Sequence, residues 1–543
     1  MPNKRVAIVG AGASGLPAIR HAILYGIEPV CFECTEHLGG LWRYTEGGTN
    51  VHGQELSCVM KSTVINTSKE MTAFSDFPPP AEYANFMHNS KLYDYFKQYA
   101  EYFELKKYIK FKHWVKNVER APDYDKTGKW KIDYLEPDGK ENSEIFDGVL
   151  IATGHHALPY YPPKWPGQDK YKGEISHAHD YRDHRGFEDK AVAIVGVGNS
   201  GGDLAVELSR IARQVYLLSR RGTWVFNRLV ENGMPFDIVL FRRALLALRN
   251  FLPAAMTLKF MEFRLNRKFD HKLYGLKPEH GLFSAHPTVN DELPNRLANG
   301  TVIVKPNIKE FTETGLIFTD GSKIEPIERV ILSTGYTLGF PLIEKGKIIP
   351  AIENEVTLYK YMYPPSLSKH NTLAVLGLIQ PMGSIMPISE IQARLFYDVL
   401  VGEAHLPSEM KMMEEIDAKK KEMAAQFVHT RRHTIQVDYA TFMDELADII
   451  GCRPNVMELL FKDPLLAYQI VFGPQCPYSY RIKGPHAWEG ARRAIMDMPQ
   501  RVRKGMAPGG GVPQKDDSWE AYHYIAYFLA GIVLIFSLWG FFF

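Results

Sequence analysis

Two segments of the chain carry the spacing G-x-G-x-x-G, which can hold the phosphates of a dinucleotide. Residues 10–15 follow the apolar run 6–9, and residues 196–201 follow the apolar run 192–195. Each segment leads into a helical pattern, and a strand, a glycine turn and a helix in this order predict the start of a Rossmann fold. The glycines allow a tight turn, so that a pyrophosphate can reach the N-terminus of the helix.

The residues placed to read the ribose differ between the two segments. Glu33 ends the apolar run after the first loop, 23 residues beyond Gly10, where a carboxylate can accept hydrogen bonds from a ribose diol. Arg220 and Arg221 hold the matching place after the second loop, Arg220 lying 24 residues beyond Gly196. An arginine pair can bind a 2′-phosphate that a carboxylate would repel. The sequence therefore predicts two different dinucleotides, the second being NADP(H).

Further glycine turns indicate that the first of these sites binds FAD. Residues 38–43 read L-G-G-L-W-R, and the apolar runs that reach 151–154 and 333–336 contain Thr-Gly. Glycine has no side chain to obstruct a cofactor, so these strand ends allow close approach. A FAD site and an NADPH site on one chain imply hydride transfer between the two cofactors.

A longer motif lies between the two nucleotide-binding runs. Residues 171–181 match the signature F-x-G-x-x-x-H-x-x-x-Y, except that Tyr171 replaces the phenylalanine. Residues 66–71, 290–294 and 377–384 carry further family-like stretches. On these motifs the chain resembles, over nearly its whole length, a flavin-containing monooxygenase of the eukaryotic drug-metabolising type.

The resemblance implies an NADPH- and O₂-dependent flavin monooxygenase. In this family NADPH reduces the flavin and O₂ adds to it as a C4a-hydroperoxide. Oxygen then passes to a soft nitrogen or sulfur of a small lipophilic compound, while the protein positions the reactants and provides a dry pocket.

Two alternative functions stay open. Residues 274–280 and 285–288 resemble the mammalian isoform-five branch, associated with Baeyer–Villiger oxygenation of ketones. An NADPH oxidase or reductase would transfer little oxygen.

Asn66 is the residue expected to act beside the flavin, because it matches the family's active-site asparagine. A neutral amide can hydrogen-bond the flavin hydroperoxide and the NADP⁺ ribose without acting as an acid. The competing interpretations are a turn residue and a glycosylation sequon at 66–68, which a cytoplasmic body would not present for glycosylation. Lys69 and Glu70 help to position the ring or form a surface ion pair, and His177 braces the domain linker.

The expected cofactor contacts follow from the two loops and from the resemblance. For FAD they are Gly10, Gly12, Ala13, Ser14, Gly15, Glu33, Gly40, Leu41, Trp42, Asn66, Thr67, Ser68 and Gly154, with Thr334 and Gln380 near the flavin and its ribityl chain. For NADP(H) they are Gly196, Gly198, Asn199, Ser200, Gly201, Arg220 and Arg221. No metal site is expected, because Cys31 and Cys34 form a C-x-x-C without a second ligand pair.

Composition narrows the class of protein. The 543 residues suffice for two or three domains. With 64 Lys and Arg against 62 Asp and Glu, no basic excess points to a nucleic-acid partner. Five cysteines without regular spacing favour a reducing compartment. The oligomeric state stays open, a homo-oligomer included.

Two segments predict contact with a phospholipid bilayer. Residues 521–543 contain no Lys, Arg, Asp or Glu, and a helix of this length is roughly 34 Å long, enough for a hydrocarbon core of about 30 Å. Basic residues on their N-terminal side place the folded body in the cytoplasm.

The second segment, residues 236–269, carries seven basic and two acidic residues among apolar ones, which is typical of a helix on a membrane surface. A solvated helical hairpin is the alternative there. We expect the protein to be located at the endoplasmic reticulum membrane.

The expected fold class is α/β, with two doubly wound Rossmann-like dinucleotide-binding domains, a helical insertion and a C-terminal membrane helix. The expected domains are 1–155 and 329–445 for FAD, 156–221 and 296–328 for NADPH, 222–295 for the membrane-associated insertion, 446–510 for a helical cap, and 511–543 for the linker and anchor.

Overall fold

Two parallel sheets, each of five strands in the described part of the chain, contain the two glycine-rich loops. The computed structural model describes residues 4–427, 431 and 434–507. The first sheet has, in spatial order, β18 (Leu373–Val375), β7 (Gly148–Ile151), β1 (Arg5–Val9), β2 (Glu28–Glu33) and β3 (Ile109–Phe111). The second has β13 (Val302–Lys305), β10 (Gln214–Leu218), β9 (Ala191–Val195), β17 (Arg329–Leu332) and β8 (Glu174–His177).

Both faces of the first sheet are buried. Val6 and Ile8 of β1 pack into one hydrophobic cluster, whereas Ala7 and Val9 pack into another on the opposite face. Helices α1 (Gly15–Leu24) and α10 (Ile385–Val401) pack together and contribute to the first cluster. A strand buried on both faces has no polar side, which explains the continuous apolar runs in the sequence.

The second sheet repeats this arrangement. Helix α5 (Asn199–Leu208) follows β9 directly, and α9 (Leu293–Ala298) packs against α5. Alternate residues of β9 again face two different clusters. All the neighbouring strands in both sheets are parallel. The prediction of two Rossmann-like sheets is therefore confirmed.

One predicted domain boundary is wrong. The sequence predicts a return to the first domain at residue 329, but β17 pairs with β9 and β8, Val330 lying opposite both Ala193 and Ile175. The chain re-enters the first sheet only at β18, which pairs with β7. The error arises because β7 and β17 are both followed by Thr-Gly, and a shared ending does not specify the sheet to which a strand belongs.

Smaller antiparallel sheets accompany the two parallel ones. One contains β4 (Trp114–Arg120), β5 (Trp130–Leu135) and β6 (Glu141–Phe146), and the other contains β14 (Ile308–Phe311), β15 (Leu316–Phe318) and β16 (Lys323–Ile324). Two short parallel pairs join β11 (Val225–Phe226) to β12 (Thr288–Val289) and β19 (Gln380–Met382) to β20 (Gln436–Asp438). The pair β11–β12 brings the two ends of the predicted insertion together.

The remaining helices surround these sheets. The insertion contains α6 (Phe236–Leu240), α7 (Arg243–Phe251) and α8 (Ala254–Lys268). Helices α2 (Lys69–Thr72), α3 (Asn89–Tyr102) and α4 (Tyr124–Thr127) precede β5. After α10 come α11 (Glu409–Gln426), α12 (Tyr439–Ile450), α13 (Val456–Lys462), α14 (Pro464–Phe472) and α15 (Ala491–Met506).

Among the described residues, no helix is long and apolar enough to cross a bilayer. The predicted linker and anchor at 511–543 lie outside the described residues, as do the last three residues of the predicted cap.

Candidate functional site

The first nucleotide loop is closed by glycines whose backbones touch. A Cβ atom on Gly15 would overlap the carbonyl oxygen of Gly10. Gly10 itself has φ +104°, and a Cβ there would lie 2.7 Å from the carbonyl oxygen of Ala152. A Cβ on Gly40 would lie 3.2 Å from the Cα of Gly12. The turn thus forms a cradle at the N-terminus of α1 that larger residues would fill, which fits the pyrophosphate of FAD.

Glu33 ties the end of β2 to this loop. Its Oε2 accepts a hydrogen bond from the Ala11 amide at 2.9 Å. Its Oε1 accepts from the amide and the hydroxyl of Thr35, both at 2.9 Å. Cys34 Sγ also lies 3.6 Å from Oε1, whereas Oε2 accepts only the Ala11 bond among the described residues. Each carboxylate oxygen has about two lone-pair sites, so Oε2 can still accept a bond from a ribose hydroxyl. Glu33 therefore orders the loop and remains able to read the sugar.

Other residues expected around FAD lie near the same loop. Ser14 is the N-cap residue of α1, and its hydroxyl lies 3.0 Å from that of Ser389 on α10. Ala13 packs partly buried against the core. Gly40, the first residue of the turn Gly40–Trp42 that contains Leu41 and Trp42, lies beside Gly12. Gly154 has φ +73°, and no described atom lies within 4 Å of where its Cβ would be. Space for a cofactor is thus open at this strand end.

Thr334 and Gln380 lie in different surroundings. Thr334 follows β17, and its hydroxyl donates to the Tyr160 carbonyl at 2.5 Å, a contact with the linker between the sheets. Gln380 begins β19, just after Gly377, where a Cβ would lie 2.6 Å from the Ser14 hydroxyl. Gly377 therefore approaches the first loop and Gln380 follows it in β19, whereas the contact of Thr334 braces the linker.

The second loop has the same geometry as the first. Gly196 has φ +111°, and a Cβ on Gly201 would overlap the Gly196 carbonyl oxygen. Gly198 is the N-cap residue of α5. Ser200 lies exposed in the first helical turn. Amides and a hydroxyl at this helix N-terminus can receive a second pyrophosphate.

The cationic pair lies at the same edge of the second sheet. Arg220 and Arg221 follow β10, and both are exposed. Within the described part of the chain, neither forms an ion pair with a carboxylate at salt-bridge distance. Asn199 on the adjacent loop accepts a hydrogen bond from the Val289 amide at 2.9 Å, which orients its side chain. The two guanidinium groups are thus available to a 2′-phosphate.

Asn66 opens a short segment, residues 66–70, that we call the catalytic segment. The Oδ1 of Asn66 accepts a hydrogen bond from Arg228 Nη2 at 2.8 Å. Arg228 is 13% exposed, and its Nη1 bonds to Asp291 at 3.0 Å. Asn290, the residue before Asp291, donates a hydrogen bond to Asp203, whose pKa is raised to about 6 by loss of solvation. Arg228 therefore links the catalytic segment to the second nucleotide domain.

The middle of the catalytic segment is held by buried polar contacts. The Ser68 amide donates to the carboxylate of Asp237, at the start of α6, at 2.6 Å. The hydroxyls of Thr67 and Thr72 lie 2.8 Å apart. These contacts fix the backbone from which Asn66 projects.

Lys69 and Glu70 are fully buried, so the predicted alternative of a surface ion pair is wrong. Lys69 Nζ donates to the carbonyls of Ala81 at 2.5 Å and Tyr83 at 2.6 Å, and burial lowers its pKa to about 8. Glu70 accepts from the Tyr478 hydroxyl at 2.8 Å and from Arg501 on α15 at 3.0 Å. Both side chains therefore fasten the catalytic segment to neighbouring elements.

The histidines and cysteines singled out in the sequence take structural positions. His177 Nδ1 accepts from the His179 amide at 3.0 Å, and its ring lies 5.7 Å from that of Tyr336. These contacts fit the bracing role predicted for His177. Cys31 and Cys34 are free, and burial raises the pKa of both thiols, that of Cys34 to about 12. Neither thiol is activated as a thiolate.

Sequence reasoning missed two residues that hold the catalytic segment, Arg228 and Asp237. The stretch 290–294 was the available signal for Arg228, because it contains Asp291, the partner of that arginine. No comparable motif marks Asp237.

Residues 3–541 match the model of a family described as FMO-like, flavin-binding monooxygenase-like. The chain belongs to this family. It is 47% identical to flavin-containing monooxygenase 5 of Rattus norvegicus and 46% identical to that of Homo sapiens, each over 505 residues and 93% of both chains. It is 45% identical to flavin-containing monooxygenase 2 of Homo sapiens over 502 residues and 92% of both chains.

Solved structures share the fold. S-allyl-L-cysteine S-oxygenase from Allium sativum gives a TM-score of 0.62 at 22% identity, covering 92% of this chain and 99% of its own. Cyclohexanone monooxygenase from Rhodococcus sp. Phi1, bound to NADP⁺, gives 0.59 at 14% identity, covering 83% and 98%. At these identities the likeness concerns the fold alone.

The chain is thus a flavin-dependent NADPH monooxygenase that binds FAD and NADP(H). The chemistry supplied by bound FAD is acceptance of a hydride and, with O₂, delivery of one oxygen atom. The first loop and Glu33 would hold FAD, and the second loop with Arg220 and Arg221 would hold NADP(H). The protein's own part is to orient both cofactors and exclude water between them.

Replacement of Arg220 with alanine should separate NADPH from NADH. A hydrogen bond to a charged group contributes about 1.5–3 kcal/mol, so the KM for NADPH should rise about tenfold or more. The KM for NADH should stay within about twofold, because NADH has no 2′-phosphate to lose. Steady-state kinetics with both nucleotides measures this.

Arg213→Ala is the matched control, because Arg213 precedes β10, at the other end of the strand, and pairs with Glu328. It should leave both KM values unchanged. Equal losses with NADPH and NADH in Arg220→Ala would show that this arginine does not read the phosphate.

Proposed function

We propose that the substrates are small lipophilic compounds with a soft nitrogen or sulfur, and that Asn66 keeps oxygen transfer coupled to NADPH oxidation. The observation that carries the role of Asn66 is the orientation of its amide. Arg228 has hydrogen-bond donors only, so the Asn66 atom 2.8 Å from it must be the oxygen. The NH₂ group is therefore turned away from Arg228 and remains a donor for a cofactor.

An amide suits this place because it does not titrate. A carboxylic acid at residue 66 could pass a proton to a bound oxygen species and release it as peroxide. The amide offers a hydrogen bond without an acidic proton at any working pH. Asn66 can thus orient NADP⁺ and the bound oxygen species without protonating that species and releasing it as peroxide.

A reductase that exchanges thiols with a disulfide is less well supported. Such an enzyme needs a reactive cysteine pair near the flavin. Cys34 lies 3.6 Å from Glu33, at the ribose end of the first site, and burial together with the Glu33 charge raises the pKa of its thiol to about 12. The described residues therefore support oxygen transfer over disulfide exchange.

Ketones are the second candidate substrate class. Residues 274–288 carry the resemblance to the isoform-five branch, and the relatives at 46–47% identity include flavin-containing monooxygenase 5. This stretch ends against the second nucleotide loop, where the Thr288 hydroxyl donates to the Val197 carbonyl at 2.5 Å. A sequence specific to this branch would here affect how NADP⁺ is bound, and thereby the position of the substrate beside it.

Asn66→Asp should uncouple the enzyme. Arg228 can pair with the new carboxylate, so the fold should survive, but the donor toward the cofactor is lost. NADPH oxidation should stay within about threefold, whereas product should fall about tenfold and H₂O₂ should rise in its place. NADPH loss, H₂O₂ and product should be quantified together with a sulfide, an amine and a ketone, which also ranks the substrate classes.

Asn50→Asp is a matched control, because Asn50 is a turn residue whose Oδ1 accepts from the amides of His52 and Gln54. It should retain full coupling. Retention of full coupling by Asn66→Asp as well would make Asn66 a turn residue and refute its proposed role.

We further propose that the protein lies on the endoplasmic reticulum membrane with its catalytic body in the cytoplasm. Support comes from α7, α8, α13 and α14, since α14 packs against both α7 and α13. Phe251 and Phe461 are 86% and 85% exposed. Further exposed apolar side chains on these helices are Leu248, Phe260, Phe263 and Leu465. Exposed basic residues, among them Arg249 and Lys268, alternate with them, which suits an anionic bilayer.

A chain ending at residue 516 should still bind membranes. It should remain a folded flavoprotein and sediment with phosphatidylcholine–phosphatidylserine vesicles at low salt. Serine at Phe251, Phe260 and Phe461 together should release it, because burial of a large apolar side chain contributes about 1.5–3 kcal/mol. Ile352→Ser, at a residue 74% exposed outside these helices, is the control and should have no effect. Complete recovery of the shortened chain in the supernatant would refute this membrane surface.

A further inference from the structure

Asp237 joins the helical insertion to the catalytic segment. It lies at the start of α6, and its side chain is fully buried. Its Oδ2 accepts from the Ser68 amide at 2.6 Å, and its Oδ1 accepts from the Ile238 amide at 2.9 Å. Ser68 is two residues from Asn66, so the carboxylate holds the backbone that carries the Asn66 side chain.

A buried carboxylate destabilises a protein unless its charge is used. Loss of solvation raises the pKa of Asp237 to about 6, while the hydrogen bonds from Ser68 and Ile238 act in the opposite direction. Within the described residues, Asp237 has no basic partner at salt-bridge distance. An uncharged side chain could accept the same bond, but a hydrogen bond to an ionised acceptor is shorter and roughly twice as strong. The charge therefore contributes to the hold on Ser68.

The other titratable groups near Asp237 are engaged elsewhere and do not take over its hydrogen bond with the Ser68 amide. Burial raises the pKa of Tyr439 on α12 well above its usual value, and the negative charges of nearby groups, Asp237 among them, add to the shift. Lys69 and Glu70 direct their charges to the 81–83 carbonyls and to Arg501. Arg242, beyond the end of α6, donates to the Ile238 carbonyl.

We propose that Asp237 is a positioning residue for oxygen transfer, which sets the place of Asn66 by holding the Ser68 amide. The inference rests on the role proposed above for Asn66. Arg228 and Asp237 both come from the predicted insertion and hold the catalytic segment at two points with opposite charges. The insertion, and not the first nucleotide domain alone, thus fixes the geometry of oxygen delivery.

Asp237→Asn and Asp237→Ala in the FAD-loaded full chain test this. Asparagine keeps the shape and loses the charge, and alanine loses the acceptor as well. FAD content and the rate of flavin reduction by NADPH should stay within about twofold of the parent. The share of NADPH electrons released as H₂O₂ should rise severalfold in Asp237→Asn and about tenfold in Asp237→Ala, because a charge-assisted bond to a buried amide is weakened or lost.

Hydrogen exchange gives a readout that does not depend on turnover. The peptide containing residues 66–72 should exchange faster in both variants at one fixed pH, since the Ser68 amide has a weaker, uncharged acceptor in Asp237→Asn and none in Asp237→Ala. Peptides from α1 and α5 should be unchanged. Unaltered exchange in the 66–72 peptide would overturn the proposal, even for a variant that turns over poorly.

The pH profile separates positioning from general stability. Protonation of Asp237 removes the charge, so the H₂O₂ share of the parent enzyme should rise as pH falls through about 6. In Asp237→Asn the share should already be raised at pH 8 and should not change as pH falls. A parent enzyme with a flat profile, or a variant that keeps the acid-side rise, would refute the role of the charge.

Asp463→Asn is the matched control, because Asp463 likewise accepts from a backbone amide, that of Leu466, in the first turn of a helix. It should leave coupling and the 66–72 exchange unchanged. Asn66→Asp, run in parallel, distinguishes the two proposals. If Asn66→Asp uncouples the enzyme and the Asp237 variants do not, only the inference about Asp237 fails. If Asn66→Asp stays coupled, the role of Asn66 fails as well.

Discussion

The catalytic segment at 66–70 is held by charged side chains from distant parts of the chain, and the other elements are arranged around this constraint. Arg228 and Asp237 reach it from the insertion, and Arg501 reaches Glu70 from α15. A charge removed from water must keep its partner, because an unpaired buried charge is strongly destabilising. A shift of any of these elements would break an ion pair or a hydrogen bond to a charged group, so the insertion and the cap hold the segment in place.

The two nucleotide loops show how one backbone design can take two cofactors. Both place a glycine with strongly positive φ at the turn and a second glycine against its carbonyl oxygen. The difference lies at the end of the neighbouring strand, where Glu33 is buried and bonded to its own loop while Arg220 is exposed. We propose that cofactor choice depends on one strand end in each sheet, and that the shared turn provides the phosphate cradle.

The sequence predicts the parallel sheets well because strands buried on both faces give continuous apolar runs beside glycine turns. The sequence-based prediction assigns β17 to the wrong sheet, because strands of both sheets are followed by Thr-Gly and this ending does not indicate the neighbouring strand. Residues 66–71 were visible as a motif, but their partners were not. Arg228 is 162 residues from Asn66, and Arg501 is 431 residues from Glu70. Only the folded chain brings such groups together, so local pattern cannot reveal them.

A double-mutant cycle between Asn66 and Arg228 tests the central claim that the catalytic segment works only when held. Arg228→Lys keeps the charge, but an ammonium cannot bridge Asp291 and Asn66 as the guanidinium does. Coupled product formation should be measured for Arg228→Lys, Asn66→Ala and the double variant. The account predicts that the double variant is no worse than Asn66→Ala alone, because the arginine acts through the asparagine. Losses that multiply would contradict it.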